Sequence, residues 1–213
     1  MKFQGVDYYR IDELLSEDEK MTRNLVREFL EKEVEPLVAD AFHEEKPLDL
    51  GEIAPKMGEL GMIGAFIPEK YGGAGANYVT FGLMCQEVER VDSALRTFIA
   101  VESGLVMYPI WRYGSEEQKK KWLPQLARGE KIGCFGLTEP NRGSDVASME
   151  TVAKRKADGW VINGTKQWIS EASVADFAVV WAQTEEGVRG FIVERDTEGF
   201  TPVSYTHLTL PTN

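Results

Sequence analysis

The stretch Cys134-Phe135-Gly136-Leu137-Thr138-Glu139-Pro140-Asn141-Arg142-Gly143-Ser144-Asp145 decides how this chain is interpreted. Its first half belongs to an apolar run, Ile132 to Leu137, that predicts a β-strand, and the proline and glycine behind it predict a polar turn. Such a turn brings the hydroxyls of Thr138 and Ser144, with backbone N–H groups, to one edge of a sheet. As a bare pattern this favours an ordinary corner between a strand and a loop. The alternative is a set of donors for a flat ligand with a polar rim.

Before this stretch the spacing of apolar residues is helical. Ser16 to Glu19 form a capping box that predicts the start of a helix. The apolar stripe behind the box is expected to face the core, and it consists of Met21, Leu25, Phe29, Leu30 and Val34. Further stripes predict helices over 53–60, over 81–91 and from Ala94 toward Tyr108, the last of these capped by Asp92-Ser93. A final helix begins at a second capping box, Ser115 to Gln118, and ends at Gly129.

After Gly129 the period changes from helical to alternating. Asp158-Gly159 joins two apolar-alternating segments and predicts a hairpin. A buried strand is predicted over 177–182 and a further strand over 190–194, with a turn at Glu186-Gly187 between them. The sequence therefore predicts an α+β fold. Residues 1–130 form an all-α helical domain, residues 131–203 form a small β-barrel or sandwich domain, and residues 204–213 form an uncharged tail.

Composition excludes several classes of function. The chain has 213 residues and a formal net charge of −11, which argues against broad nucleic-acid binding. No apolar run has the length of a membrane span, and the N-terminus does not resemble a presequence, so we expect a cytoplasmic protein. Cys85 and Cys134 are expected to be buried free thiols in a reducing compartment, and His43 and His207 to be surface residues. No metal site is predicted.

Arg96 and Trp168 each allow two interpretations. Arg96 stands near the start of an apolar helix, where the helix dipole disfavours a cation. Either it pairs with a carboxylate such as Glu89 or Asp92 or reaches solvent, or it awaits the carboxylate of a ligand. Trp168 lies in Lys166-Gln167-Trp168-Ile169-Ser170, and on its own it would be expected to fill the core of the β domain.

The run Phe135-Gly-Leu-Thr-Glu-Pro-Asn-x-Gly-Ser-Asp resembles the flavin-binding signature of the acyl-CoA dehydrogenases, and the resemblance extends from about Leu14 to Phe200. Within that family the chain is most similar to the glutaryl-CoA dehydrogenases. The resemblance implies FAD as cofactor, with the Trp168 indole against the flavin ring and the Ser170 hydroxyl at its N5 edge. The cofactor-binding residues it implies are Phe135, Leu137, Thr138, Gly143, Ser144, Trp168, Ile169 and Ser170.

The same resemblance implies an acyl-CoA substrate, oxidised to an enoyl-CoA. Glu89, Arg96, Thr97 and Ser144 would contact it, and for glutaryl-CoA the product after decarboxylation would be crotonyl-CoA. Electron-transfer flavoprotein would be the redox partner, and the full-length enzyme would be a homotetramer. The family's catalytic glutamate lies in a C-terminal helical domain that is missing here, so no residue is assigned as the base.

Residues 204–213 depart from the family pattern, and a chain without the C-terminal domain is expected to bind flavin weakly or not at all. Two alternatives stay open. The first is a dehydrogenase of a monocarboxylic acyl-CoA, or a related flavin oxidase. The second is an inactive fragment that acts as a non-catalytic module.

Overall fold

The computed structural model describes residues 7–203, and in that part of the chain helices precede strands. The seven α-helices are α1 (Glu17–Phe29), α2 (Glu35–Glu44), α3 (Leu50–Glu59), α4 (Tyr78–Val91), α5 (Ser93–Ala100), α6 (Tyr108–Tyr113) and α7 (Glu116–Ala127). The strands are β1 (Gly133–Gly136), β2 (Val152–Lys156), β3 (Gly159–Asn163), β4 (Phe177–Thr184) and β5 (Gly187–Glu194). This order confirms the predicted α+β class. The predicted tail, 204–213, and His207 lie outside the described residues.

The helix starts follow the local signals in the sequence. The Ser16 hydroxyl accepts the Glu19 N–H at 3.3 Å, and the Glu19 carboxylate accepts the Ser16 N–H at 2.8 Å. Ser115 and Gln118 make the same reciprocal pair at the start of α7. The Asp92 carboxylate accepts the Leu95 N–H at 2.7 Å and caps α5. Each cap satisfies amide groups that have no partner inside the helix.

Helix α1 corrects the predicted core stripe. Val26, Leu30 and Val34 are buried, whereas Met21 and Leu25 are exposed. The reason lies on the neighbouring helix α4, where the buried Glu87 accepts the Arg27 guanidinium at 2.7 and 2.8 Å. That ion pair turns the face containing Val26 and Arg27 toward α4. Leu25 precedes Val26 by one position, which is about 100° around the helix, and Met21 lies one turn before Leu25. Both side chains therefore face away from the core.

Strand β4 is the centre of the sheet. It pairs antiparallel with β5 along its whole length, and parallel with β1 from Phe177 to Val180. Strand β2 joins the same edge of β4 further along, at Gln183, and forms the predicted antiparallel hairpin with β3. Strands β1 and β2 thus follow one another along one edge of β4. The connection between them, residues 137–151, leaves and re-enters the sheet at that edge.

The helical and sheet parts share one hydrophobic core. The rings of Trp122 in α7 and Phe177 in β4 lie 4.3 Å apart, and both side chains are buried. A π-helical stretch, Val101–Met107, continues α5 and carries Glu102. One carboxylate oxygen of Glu102 accepts the Gly133 N–H of β1 at 2.8 Å. None of the helices in residues 7–203 is long and apolar enough to cross a bilayer.

Candidate functional site

The turn after β1 is closed by its own backbone. The Glu139 N–H donates to the Arg142 carbonyl at 2.9 Å, and the Arg142 N–H returns to the Glu139 carbonyl at 3.2 Å. The Arg142 guanidinium also donates to the Ser148 carbonyl at 2.9 Å. Gly143 and Ser144 lie at the outside of this turn and are exposed. The predicted polar turn is therefore present.

The segment containing Trp168 lies directly beside this turn. The Gln167 N–H donates to the Thr138 carbonyl at 2.8 Å, so Thr138 and Trp168 belong to two backbone segments that touch. Trp168 is 67% exposed, and the expectation that it fills the core of the β domain is wrong. Its φ of 61° and that of Glu171, 60°, are left-handed. This conformation costs a non-glycine residue about 1–2 kcal/mol, so the surrounding structure holds the segment in place.

The hydroxyls of Thr138, Ser144 and Ser170 make no hydrogen bond to any other residue in 7–203. All three are available to a ligand, Thr138 and Ser170 in the two segments that touch and Ser144 in the exposed turn. Phe135 and Ile169 pack against the hydrophobic core instead, and the Phe135 ring meets the Trp181 ring edge-on at 6.1 Å. The three hydroxyl residues are thus exposed or half-buried, and these two apolar residues support them from the core side.

An ion pair that sequence reasoning gave no role lies beneath these groups. The Glu139 carboxylate is buried and accepts the N–H groups of Glu150 and Thr151. It also accepts the Lys166 ammonium at 2.9 Å, which donates a second bond to the Leu137 carbonyl at 2.9 Å. Burial favours the neutral acid, but the hydrogen bonds from Thr151, Glu150 and Lys166 outweigh it and lower the pKa of Glu139 to about 2.

Arg96 pairs with Glu89, as one of the two sequence interpretations expects. Its Nε donates to Glu89 Oε2 at 2.7 Å, and the Ser93 hydroxyl donates to Glu89 Oε1 at 2.6 Å. The hydrogen bonds from Ser93 and Arg96 lower the pKa of Glu89. Thr97 donates to the Ser93 carbonyl at 3.0 Å. The side chain of Arg96 is 39% exposed, and its two terminal nitrogens bind no other described residue. Its fork can therefore still bind an anion.

Comparison with known proteins identifies the family of this chain. The acyl-CoA dehydrogenase N-terminal domain matches residues 16–130, and the acyl-CoA dehydrogenase middle domain matches residues 134–211. The chain belongs to the acyl-CoA dehydrogenase family. The signature at 135–145 is thereby identified as part of the family's middle domain.

Relatives in this family include short-chain and glutaryl-CoA dehydrogenases. The mitochondrial short-chain specific enzyme of Mus musculus is 36% identical over 88% of this chain and 46% of its own length. The short-chain specific enzyme of Clostridium acetobutylicum is 38% identical, with 50% of its length covered. The crystal structure of glutaryl-CoA dehydrogenase from Mycobacterium smegmatis is 47% identical, with a TM-score of 0.85 over 90% of this chain and 49% of that one. The chain spans about half the length of these relatives.

This acyl-CoA dehydrogenase chain also contains one buried and one half-buried acid that sequence reasoning missed. Glu102 and Glu171 each have an Oε2 that is buried without a partner among the described residues. Desolvation raises the pKa of Glu171 to about 7. Desolvation, with the nearby charges of Glu171 and Asp176, raises the pKa of Glu102 well above its ordinary value. A lone glutamate in the apolar run 98–107 was the available signal for Glu102.

Proposed function

We propose that this chain provides the substrate and cofactor segments of an FAD-dependent acyl-CoA dehydrogenase that acts on glutaryl-CoA. The observation that carries the proposal is the meeting of Thr138 with the Trp168 segment through the Gln167 hydrogen bond at 2.8 Å. Three hydroxyls of the turn after β1 and of the Trp168 segment have no partner among residues 7–203, and they suit the polar rim of a flavin ring. Solved relatives support the cofactor. One is a crystal structure of a Mycobacterium smegmatis glutaryl-CoA dehydrogenase in complex with FADH2, and another is a Bacillus anthracis acyl-CoA dehydrogenase complexed with FAD.

In the proposed reaction FAD supplies the hydride acceptor, while the residues of this chain bind and orient the reactants. Thr138 and Ser170, on the two adjoining segments, would hold the polar edge of the ring with their hydroxyls and stabilise negative charge there. The Trp168 indole would lie against the ring and exclude water. Ser144, at the outside of the turn, can contact both cofactor and acyl-CoA. The side chains of Phe135 and Ile169 pack on the core and anchor these groups, and Leu137, directly after β1, would line the ring.

Arg96 gives the proposal its substrate class. The Glu89 carboxylate fixes its Nε, and the two terminal nitrogens remain for a second carboxylate. A dicarboxylic acyl chain such as glutaryl presents that group, and loss of carbon dioxide after oxidation would give crotonyl-CoA. Thr97 lies beside Arg96, and its hydroxyl would have to leave the Ser93 carbonyl in order to donate to the same carboxylate. The 47% identity with the Mycobacterium smegmatis enzyme, against 36–38% with the short-chain relatives described above, supports this choice.

The remaining expectations are part of the same proposal. The base that removes the α-proton would come from the portion of the family fold beyond this chain. Electron-transfer flavoprotein would accept the electrons, and the whole enzyme would be a homotetramer. A reducing compartment such as the cytoplasm suits the two free cysteines, Cys85 and Cys134.

The test replaces Arg96 with alanine in a protein of the relatives' full length that carries residues 7–203. We expect kcat/KM for glutaryl-CoA to fall about ten- to a hundredfold, because a hydrogen bond to a charged group is worth about 1.5–3 kcal/mol. Turnover of butyryl-CoA, which has no distal carboxylate, should change little. Steady-state kinetics on the two substrates measure the difference.

Arg128→Ala is the matched control, since Arg128 also pairs with a neighbouring glutamate, Glu130, on an exposed surface. It should leave both substrates unaffected. Equal losses on both substrates in the Arg96 variant would contradict the dicarboxylate assignment and favour the monocarboxylic alternative. A full-length protein purified without visible flavin absorption would instead favour the non-catalytic module.

A further inference from the structure

The Glu139–Lys166 ion pair joins three segments that are distant in sequence. Glu139 follows the Thr138 position directly, Glu150 and Thr151 precede β2, and Lys166 stands two positions before Trp168. One carboxylate holds all three, through the Thr151 N–H at 2.8 Å, the Glu150 N–H and the Lys166 ammonium at 2.9 Å. The connection between β1 and β2 is therefore closed where it leaves and re-enters the sheet, and the Trp168 segment is attached to the same carboxylate.

Burial makes this connection specific. The side chains of Glu139 and Lys166 are 2% and 11% exposed, whereas most ion pairs of the described chain lie at the surface. A buried carboxylate with three donors and a buried ammonium with two acceptors tolerate few other arrangements, because each displaced partner leaves a charge unsatisfied. Lys166 also holds the Leu137 carbonyl at 2.9 Å, so it fixes both sides of Thr138. The backbone bond from Gln167 to Thr138 lies between these two contacts.

We infer that Glu139 and Lys166 are positioning residues that set the placement of the Thr138 hydroxyl relative to the Trp168 indole. They do this by holding the two backbone segments together, and neither charge is directed at the cofactor. The effect on the FAD site rests on the proposed function. The holding of the two backbone segments does not depend on it and can be tested in the 213-residue chain.

Hydrogen exchange in the Lys166→Met variant tests the geometry. The variant keeps the length of the side chain and removes its charge. We expect the amides of Glu150, Thr151 and Gln167 to exchange roughly tenfold faster or more, while the amides shared by β4 and β5 keep their rates. A uniform acceleration over the sheet would show a merely structural role and overturn the inference. Unchanged exchange at Gln167 would overturn it as well.

Lys131→Met is the matched control, because Lys131 forms an ion pair of comparable length with Asp176, 2.6 Å, at the end of the same sheet where β1 and β4 begin. It should leave exchange at Gln167 unchanged. In the full-length holoprotein the Lys166 variant should bind FAD about tenfold more weakly or worse under conditions where circular dichroism shows it folded. An unchanged FAD affinity would overturn the positioning role. A parent protein that binds no FAD would contradict the proposed function, and the exchange experiment would still decide the geometry.

Discussion

At the scale of single residues, the structure places acids in two opposite environments. Glu139 is buried but surrounded by donors, so its carboxylate form is stabilised and its pKa is lowered to about 2. Glu171 is half-buried, its buried Oε2 has no donor among residues 7–203, and desolvation raises its pKa to about 7. Two glutamates a short way apart in the chain thus favour different protonation states, because their hydrogen-bond partners differ.

Glu171 predicts a fall in stability with rising pH. Its folded pKa, about 7, lies above the ordinary 4.5, so the folded state binds the proton more tightly than the unfolded state does. The stabilisation is complete below 4.5 and is lost as the pH rises through 7, by about 3 kcal/mol in total. Glu171→Gln cannot titrate and should flatten this part of the profile. Urea denaturation at a series of pH values measures it.

The control for this prediction is Glu185→Gln, a change at an exposed position in the turn before β5. It should keep the parent profile. A Glu171 variant whose stability falls as steeply as that of the parent would show that another group causes the fall. Glu102 is then the next candidate for the titrating group, because desolvation and the charges of Glu171 and Asp176 raise its pKa.

At the scale of elements, glycine marks the passage from α7 to the sheet. Gly129 has a φ of 65°, and a Cβ placed there would lie 2.3 Å from the backbone carbon and oxygen of Ala54 in α3. The sequence identified Gly129 as a helix end from its position after an apolar stripe. It could not show that the chain also passes so close to another helix, because that approach depends on the tertiary packing.

We expect Gly129→Ala to destabilise the fold by more than about 2 kcal/mol, since strain and a backbone clash add. Gly82→Ala is the paired variant. Gly82 lies inside α4, and a Cβ there meets nothing within 4 Å. Alanine should stabilise that helix by up to about 1 kcal/mol, because it loses less backbone freedom on folding. Chemical denaturation gives the sign of the change in unfolding free energy for each variant. A Gly129 variant as stable as the parent would contradict the close approach.

Local signals account for what the sequence predicted at this scale. The capping boxes at Ser16 and Ser115 and the hairpin at Asp158-Gly159 depend on neighbours in the chain, and all three are present. The Glu139–Lys166 pair joins residues from separate segments and had no local signal. The exposure of Met21 has the same explanation, since the pairing of Arg27 with Glu87 on α4 decides which side of α1 is buried.

At the scale of the whole molecule, one core crosses from helices to sheet. Phe177 is fully buried and its ring packs against Trp122 of α7. Glu102 ties the π-helical stretch to the first strand through the Gly133 amide. The division into residues 1–130 and 131–203 that the change of period predicts is therefore compatible with unfolding as one unit. Two independent transitions would require this shared core to separate first.

Phe177→Ala tests whether the helical and sheet parts unfold as one unit. We expect a loss of about 3–5 kcal/mol, the usual cost of deleting a buried aromatic ring. Circular dichroism of the helices and tryptophan fluorescence should still give coincident transitions. Phe42→Ala is the control, because the Phe42 ring is 81% exposed, and its effect should stay within about 0.5 kcal/mol. Helices that melt at an unchanged denaturant concentration in the Phe177 variant would contradict a shared core.

Cys134 lies in β1, paired with Ala178 of β4, and desolvation raises the pKa of its thiol to about 12. The thiolate is the form that attacks alkylating reagents, and at neutral pH a closed molecule presents almost none at this position. Modification by a maleimide then requires β1 to leave the sheet and admit water. The rate of covalent labelling at this one sulfur thus records how often β1 opens, and no cysteine has to be introduced for the measurement.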